Sequence, residues 1–418
     1  MPTAEQQVLG TEIERVNPKV PVLFERESRF YSQLEKRPVE IISSRDMKIP
    51  LEIRPGGNFG HYSPDGGDLG RGEGPDFDKG VINTVHLKHA IEWTTQSQWS
   101  TDDSRKSVIN LFRRLMAKAM PEFRRNVDSL CMTDGTGTLA TITTVSTAGG
   151  VDTYTCTTDG FGVKLLRPKL KLNVFTSTLL TNRTAGGETQ ITFYDLVNKT
   201  IKVTPAVVNA TGGDLIVSSG LTATPPSSIY GVKYHDNSSS TGTWLGFNRA
   251  NTPEVIASRV NALSGPLTLP FPRLAINKVG DRVGEEALKR CQAWMHPCQK
   301  QAYEELGFQA SMINKTAKAE GLDLYFGDNM QMAGAPVKTS YSWDKTRIDF
   351  IDLDNWGRAE YHKPGFYEVD GRKIFEIRGP SGGVATSQVF YIVASFNIYA
   401  LNPAALTYID ALAVPTGY

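Results

Sequence analysis

The 418-residue sequence predicts an α+β fold in which one long helix is surrounded by many strands. Apolar residues recur every three or four positions through residues 101–131, which is the spacing of one helix face. Two runs with alternating polarity precede this helix, and Thr- and Gly-rich segments with regular turn signals follow it through residues 132–250. The pattern therefore predicts a mixed fold organised around a single helix.

Composition excludes several classes of protein. Lys and Arg number 45 against 44 Asp and Glu, so the net charge is +1 and no global attraction to nucleic acid or membrane is expected. No apolar run is long enough to span a bilayer, and residues 1–20 lack the apolar core of a secretory signal. Four cysteines do not make a disulfide framework in so long a chain. We expect a protein made inside a cell.

The first two segments are an irregular N-terminal arm and an extended hairpin loop. Residues 1–38 carry scattered charge and prolines that interrupt regular structure. Residues 39–99 hold two alternating runs around a Gly-, Pro- and Asp-rich stretch, which predicts a long β-hairpin with a large flexible end. The apolar faces of the two runs comprise Val39, Ile41, Met47, Ile49, Leu51 and Ile53, and then Val81, Val85, Leu87, Ile91 and Trp93.

Such a hairpin needs a further surface to lie on. Strands of about fourteen residues span roughly 45 Å at 3.3 Å per residue, and an isolated two-stranded ribbon is marginal in water. Pro50 also removes one backbone donor, which suits an edge strand. The surface could belong to the same chain or to a neighbouring subunit, and we favour the neighbour.

Residues 100–133 form the predicted long helix, and no other segment predicts one of similar length. Thr101 can cap its start, and the two aspartates that follow favour the positive end of the helix dipole. About thirty residues at 1.5 Å each make a rod of roughly 45 Å. Pro121 cannot donate to the carbonyl of Ala117 and crowds that turn, which predicts a bend or a split into two helices.

Residues 134–250 predict a β-rich segment that contains a small inserted barrel or sandwich. Paired glycines separate the short strands, and residues 225–246 are polar enough to predict a loop. The strands are predicted at 138–145, 170–176, 188–194, 199–205 and 214–218.

Residues 251–418 mix helices and strands. Thr252 can cap a helix that begins at Pro253, and residues 280–290 and 298–306 predict helices on either side of a buried strand, CQAWMHP. Asp370-Gly371 predicts a tight hairpin turn. The aromatic and β-branched run at 389–401 predicts a buried closing strand.

No candidate for catalysis or metal binding is favoured over a structural role. Ser381 lies in a G-x-S-x-G stretch, but a strand follows where a nucleophile elbow requires a helix. Cys291, His296 and Cys298 lack the second ligand pair of a zinc site, so a packed corner between a strand and a helix is favoured. The predicted set of catalytic, cofactor-binding and metal-binding residues is therefore empty, and we predict that the protein is not an enzyme.

The spacing of the residues rules out two further candidate metal sites. Asp352 and Asp354 begin like a calcium loop, but Lys363 stands where the final glutamate is required. His86 and His89 are three apart on a strand, so they point to opposite faces and cannot chelate together.

Basic residues on the long helix are a candidate binding surface. Arg114, Lys118 and Arg125 share one face by their spacing, so the helix is apolar on one side and basic on another. A solvated face is the favoured interpretation, and contact with packaged nucleic acid or with an acidic edge of a neighbour is the alternative. The basic residues of the helix are Arg113, Arg114, Lys118, Arg124 and Arg125.

The order of these parts resembles tailed-bacteriophage major capsid proteins of the Hong Kong 97 type. Residues 39–99 look like the extended loop of that family, and residues 101–131 look like its spine helix. The DGTGTL turn after the helix, residues 280–306 as part of an axial domain, and a closing strand before Asn402-Pro403-Ala404 fit the same layout. The resemblance covers most of the chain, with peripheral and axial domains, and departs from the minimal pattern in the β-rich insertion.

The resemblance implies a shell protein that assembles as hexamers and pentamers into an icosahedral head around double-stranded DNA. It implies a virion location, assembly in the host cytoplasm, and portal, scaffolding and decoration proteins as further partners, with no membrane. Two alternatives stay open: a nanocompartment shell protein of the same fold, and a β-rich binding or adhesion module. The implied domains are the arm 1–38, the loop 39–99, the spine helix 100–133, the β-rich segment 134–250, and the axial domain with closing strands 251–418.

Overall fold

A computed structural model describes residues 28–61 except 38, 42 and 44, and then 71–95, 111–157, 166–313, 330–378, 384–415 and 417. The chain divides into two compact units. One comprises Met1–Glu27, Leu87–Arg125 and Pro364–Ala394, and the other comprises Ser28–His86, Asn126–Lys363 and Ser395–Tyr418. Within the described ranges, no helix combines the length and the apolar character that a membrane span requires.

The helices of the described residues are α1 (Arg29–Leu34), α2 (Leu111–Cys131), α3 (Val232–His235), α4 (Pro270–Val283), α5 (Glu285–Leu288) and α6 (Pro297–Ile313). The strands up to the end of the β-rich segment are β1 (Val39–Ile41), β2 (Asp46–Arg54), β3 (Asp76–Asn83), β4 (Val85–Thr94), β5 (Thr138–Ala148), β6 (Val151–Cys156), β7 (Lys171–Phe175), β8 (Thr189–Asp195), β9 (Thr200–Thr204), β10 (Leu215–Ser218), β11 (Thr243–Trp244) and β12 (Phe247–Asn248). The later strands are β13 (Ser258–Asn261), β14 (Gln292–Met295), β15 (Gln331–Met332), β16 (Ala335–Thr339), β17 (Ile348–Ile351), β18 (Trp356–Phe366), β19 (Phe375–Arg378), β20 (Val384–Ala400) and β21 (Thr407–Asp410).

In the first unit, aromatic side chains of β4 and β18 pack around Phe390 of β20. The rings of Trp93 and Phe366 lie 5.6 Å and 5.8 Å from the Phe390 ring. Asp370 and Gly371 both have positive φ, and the backbones of Val369 and Arg372 bond to each other across them, which confirms the predicted hairpin turn. The predicted closing strand is also confirmed, as part of the seventeen-residue β20.

The second unit contains a closed barrel with the strand order β10-β5-β6-β9-β8-β7. All five strands predicted within residues 134–250 are present in the barrel. The sixth barrel strand, β6, was not predicted. β6 places a carboxylate inside the barrel: Asp152 is buried and accepts hydrogen bonds from the Thr147 hydroxyl at 2.6 Å, the Tyr154 hydroxyl at 2.9 Å and the Val207 amide at 2.7 Å. These bonds offset the burial of the charge.

A six-stranded sheet with the order β13-β21-β17-β14-β16-β15 forms the other core of this unit. Its apolar residues pack with side chains from α4 and α6, including Ala275 and Tyr303. β14 confirms the predicted strand CQAWMHP, and α6 begins at Pro297, where the missing amide hydrogen does not interrupt a helix.

Several helix predictions were wrong in detail. The helix predicted at 280–290 is divided by Gly284, whose φ is +89°, into α4 and α5. Thr252 makes no capping bond, and only a 3₁₀ turn follows it at Pro253–Val255. The 17-residue α6 is a second long helix, contrary to the prediction of one. Residues 225–246 were predicted as a loop but contain α3 and the fully buried Trp244.

Pro121 does not divide the long helix. α2 continues from Leu111 to Cys131 with the proline inside it. Ala117 and Pro121 are both exposed, so water can satisfy the carbonyl that loses its intrahelical donor. The predicted start of the helix at Thr101 lies outside the described residues.

Candidate functional site

The extended hairpin is shorter than predicted and is made by β2 and β3 alone. Their antiparallel register runs from Asp46 opposite Asn83 to Arg54 opposite Asp76, with an irregularity between Glu52 and Arg54. The flanking runs belong to another sheet, where β1 pairs with β18 and β4 pairs with β20. The prediction that residues 39–99 form one hairpin was therefore wrong at both ends.

The apolar face of the hairpin is the predicted one. Met47, Ile49, Leu51 and Ile53 point toward an apolar cluster, and the intervening Lys48, Pro50, Glu52 and Arg54 are exposed. We call residues 46–54 and 80–83 the seated part of the hairpin, because they rest on this cluster. We call residues 55–61 and 71–79 the distal part, and every one of them is exposed. Residues 76–79 still pair with residues 50–54 of β2, so Phe77 lies opposite the exposed Glu52 on the outward face of the hairpin.

The seat belongs to the same chain, which corrects the prediction that a neighbouring subunit supports this surface. Tyr230, Trp244 and Leu245 of the seat come from the segment that was predicted to be a loop, and Phe247 and Val255 come from the residues just after it. The Val81 amide donates to the Leu245 carbonyl at 2.7 Å, so the edge of β3 is paired there. Arg54 extends the attachment through the Glu254 carboxylate at 3.2 Å and the Asn251 carbonyl at 3.3 Å.

A buried asparagine ties the base of the hairpin to the closing strand β20. The Asn397 side chain donates to the Asn83 carbonyl at 2.7 Å and accepts from the Tyr230 amide at 2.9 Å. Tyr230 stacks on Tyr234 at 4.2 Å, and burial raises the pKa of Tyr234 to about 12, so this phenol stays neutral. No sequence pattern indicates this role, because Asn397 lies within an apolar run.

In the distal part, the backbone at Gly56 lies very close to the backbone at Gly74 and Pro75. A Cβ on Gly56 would lie 2.5 Å from the Gly74 carbonyl carbon and the Pro75 nitrogen. The Gly57 amide donates to the Glu73 carbonyl at 2.8 Å, with Gly57 at a φ of +112°. The two glycines are therefore required by geometry and hold the two sides together beyond the last strand pair.

Two aromatic side chains stand out in solvent on the distal part. Phe59 is 96% exposed and Phe77 is 66% exposed. Two exposed phenylalanines on one hairpin make it a candidate interaction surface. Residues 62–70, which join the two sides, lie outside the described residues.

The barrel presents a second exposed apolar feature. In the turn between β8 and β9, Leu196 and Val197 are exposed, and the Asp195 carboxylate fixes the turn by accepting from the amides of Val197 and Asn198 at 2.8 Å and 3.1 Å. Hydrogen bonds from the Asn198 amide, the Asn198 side chain and the Val197 amide lower the pKa of Asp195, because they favour its charged form.

The basic residues of the helix are only partly described. Arg124 is exposed, Lys118 and Arg125 are half-buried, and all three make further interactions. The side chains of Arg113 and Arg114 lie outside the described residues. Between α2 and β4, Glu122 lies 3.5 Å from His89.

The cysteine and histidine candidates are packed structural groups. Cys291 and Cys298 are buried, and their thiols donate to the carbonyls of Ala287 at 3.3 Å and Lys345 at 3.8 Å. His296 Nδ1 accepts from the Cys298 amide at 3.2 Å, at the start of α6. Within the described ranges, no three such side chains gather as a metal site would require.

Asp352 is a helix cap. Its carboxylate accepts from the Asp354 amide at 3.0 Å and from the Asn355 side chain at 2.9 Å, in the 3₁₀ turn Leu353–Asn355. The Ser381 candidate lies outside the described residues.

Comparison with solved structures identifies the fold. The capsid asymmetric unit of cyanophage A-1(L) matches with a TM-score of 0.60 and 11% identity over 98% of this chain and 99% of that one. The capsid of a native GTA particle matches at 0.51 and 11% identity over 99% of both. An encapsulin complex from Synechococcus elongatus matches at 0.46 and 8% identity over 100% of this chain and 98% of that one, which is too weak to carry an argument.

Neither a scan against protein-family models nor a search of curated proteins finds a match. The end-to-end structural likeness nevertheless establishes the fold. This chain has the fold of tailed-phage capsid proteins, as the layout of its sequence predicted.

Proposed function

We propose that this chain, which has the capsid-protein fold, is the major capsid protein of a tailed phage. Many copies would assemble as hexamers and pentamers into an icosahedral head that encloses double-stranded DNA. The observation that carries the proposal is the division of the hairpin: its base is seated on its own chain, and its distal part projects with Phe59 and Phe77 exposed.

The distal part is suited to a neighbouring copy on energetic grounds. Full burial of a phenylalanine side chain stabilises an interface by about 1.5–3 kcal/mol, and the ribbon offers two. The contact recurs once for every subunit in a shell, so a modest free energy per copy becomes a large total. A net charge of +1 lets many copies pack without strong mutual repulsion.

The other partners follow from the same proposal. A decoration protein fits the exposed Leu196-Val197 turn of the barrel, and portal and scaffolding proteins would join during assembly in the host cytoplasm. Double-stranded DNA would meet the basic residues of the spine helix without sequence specificity. The role is structural, and we predict no enzymatic activity.

We also propose that the domains match those of a capsid subunit. They are the arm 1–38, the extended loop 39–99 built around the β2–β3 hairpin, the spine helix 100–133, the β-rich segment 134–250 with the barrel as its insertion, and the axial domain with closing strands 251–418.

Sedimentation and negative-stain microscopy of the purified full-length chain test the proposal. We expect shells or capsomer rings, and a compact monomer at every concentration would contradict it. Phe77→Ser should reduce assembly while leaving the thermal unfolding temperature of the free chain unchanged. Leu180→Ser is the matched control, because Leu180 is similarly exposed at 65% but lies on the barrel.

The contents of particles purified from the producing host separate the two shell functions. Nuclease-protected double-stranded DNA is the expected result for a phage head. Particles filled with protein and free of nucleic acid would contradict the phage assignment and support a nanocompartment.

A further inference from the structure

Helix α1 is short and is stabilised by contacts with other parts of the chain. It has six residues, too few to be stable as a helix alone. Three of its side chains, Phe30, Tyr31 and Leu34, are completely buried. We call residues 29–34 the plug. It lies within the predicted N-terminal arm, residues 1–38.

Three tryptophans form the socket for the plug. The Phe30 ring meets Trp294, Trp343 and Trp356 edge-on, with ring centroids 5.3, 5.5 and 5.9 Å away. Trp294 and Trp343 also stack on each other at 5.4 Å. These tryptophans come from residues 294–356, far from the plug in sequence, so the socket is assembled by chain that does not include the plug.

A buried carboxylate closes the N-terminal end of the plug. Asp128, in the last turn of α2, is completely buried, and its Oδ1 accepts from the Tyr31 amide at 2.9 Å. The first amides of a helix have no intrahelical partner, and the preceding Ser28 makes no capping bond. Asp128 therefore caps the plug from another helix.

We propose that the plug and Asp128 form a proton-coupled latch, which closes more tightly when the Asp128 carboxyl is protonated and opens more readily when it is charged. Opening brings the carboxyl back into water, where its charge is solvated. Closing places the same group among aromatic and apolar side chains, where the charge is costly. The inference concerns a single chain and does not depend on the proposed function.

The pKa of Asp128 is shifted in the direction that its burial in the closed state predicts. Burial raises the pKa of Asp128 from 3.8 to about 6, and the polar groups of Tyr31, Ser342 and Phe30 only partly oppose the shift. The closed latch thus binds the proton more strongly than the open one. Its extra stability is fully present below pH 3.8, and it is lost as the pH rises through about 6.

The titratable groups beside Asp128 do not reproduce this behaviour. Behind the socket, burial raises the pKa of Asp236 and lowers that of His235, and an Asp128 variant separates both from Asp128. Burial raises the pKa of the Cys131 thiol and of the Tyr31 hydroxyl, so both stay neutral in acid. Arg358 and Glu360 of β18 form an ion pair with each other, and Arg358 also donates to the Glu35 carbonyl at 3.1 Å. Glu35, which directly follows α1, is partly exposed, and comparison with an Asp128 variant separates its contribution.

Hydrogen exchange of the full-length chain tests the latch. Protection factors for peptides covering residues 29–34 should fall roughly 20-fold between pH 4.5 and 7, after correction for intrinsic exchange, and level off above about pH 6. Peptides covering β14 report global opening and serve as the internal reference. A change of less than two-fold in the plug relative to β14 would overturn the proposal.

Asp128→Asn should abolish this pH dependence, because the amide can still accept the Tyr31 bond but cannot titrate. Asp281→Asn, at an exposed position on α4, should retain it. An Asp128→Asn chain with the full pH dependence would contradict the assignment to Asp128. Should that variant fail to fold, the wild-type profile decides alone, since protection that keeps falling above pH 7 is incompatible with this carboxyl.

Discussion

The two parts of the β2–β3 hairpin share one alternating pattern but have opposite surroundings. In the seated part, Ile49 and Ile82 are buried against Trp244 and its neighbours. In the distal part, Phe59 and Phe77 are exposed although they are larger apolar groups. Phe77 is exposed because it lies opposite Glu52 on the outward face, and Phe59 is exposed because it lies beyond the last strand pair. These two positions are where a second copy is expected.

The largest effect on subunit stability should come from the seated part. Ile82→Ala removes a fully buried side chain and leaves a cavity beneath β3, which costs about 2–5 kcal/mol of unfolding free energy. Phe77→Ala, on the same strand in the distal part, should change that free energy by less than about 0.5 kcal/mol. Denaturant titration of the unassembled chains measures both. Equal losses would break the distinction between the two parts.

Of the two parts of the hairpin, only the seated one should show an acid-dependent effect, through His235 beneath it. His235 is buried, accepts from Trp244 Nε1 at 3.0 Å and lies 3.2 Å from the Ile398 carbonyl, and burial lowers its pKa to about 3. The unfolded chain binds the proton more readily, so stability present above pH 6.5 is lost as the pH falls toward 3. The expected loss is about 1.4 kcal/mol per pH unit.

Comparison of variants isolates this contribution, because Asp128 acts with the opposite sign in the same pH range. The difference in unfolding free energy between wild type and His235→Gln should shrink as the pH falls from 6.5 to 4.5. His61→Gln, on the exposed distal part, is the matched control. Parallel profiles for the two variants would show that the seat has no special acid sensitivity.

The smallest effect on stability, with the clearest effect on assembly, is expected at Gly56. An added Cβ would meet the backbone of Gly74 and Pro75 at 2.5 Å, so Gly56→Ala should separate the two sides of the distal part. The unfolding free energy should change by less than about 1 kcal/mol because no core is disturbed. Assembly yield, measured by sedimentation, should fall several-fold.

Gly60→Ala is the control for that substitution, since no atom lies within 4 Å of its Cβ position. Equal yields for the two alanine variants would show that the paired shape of the distal part does not matter for assembly.

Local sequence patterns predicted the strands and their buried faces. They did not predict which distant strands pair with each other. Alternation placed Met47, Ile49 and Leu51 on the buried face of β2, and paired glycines marked most barrel strands. Alternation does not specify a partner, however, so β1 and β4 were assigned to the hairpin although they pair with β18 and β20. The polar composition of residues 225–246 likewise gave no indication that Trp244 is buried in the seat.

Single polar residues were the hardest part of the site to predict. Asn397 and Asp128 matter because of groups 314 and 97 positions away in sequence, and neither stands in a motif. Only the folded chain brings Asn397 to Asn83 or Asp128 to Tyr31. The capsid-like order of hairpin and helix was visible earlier because it depends on the sequence of elements rather than on their contacts.

Thiol labelling at position 59 tests the central claim most directly. The four native cysteines are buried, so Phe59→Cys supplies a single accessible reporter on the distal part. We predict rapid maleimide labelling in the unassembled chain and at least about tenfold slower labelling once sedimentation shows assembled particles. Equal labelling rates before and after assembly would contradict the account, because the distal part would then remain in solvent within the shell.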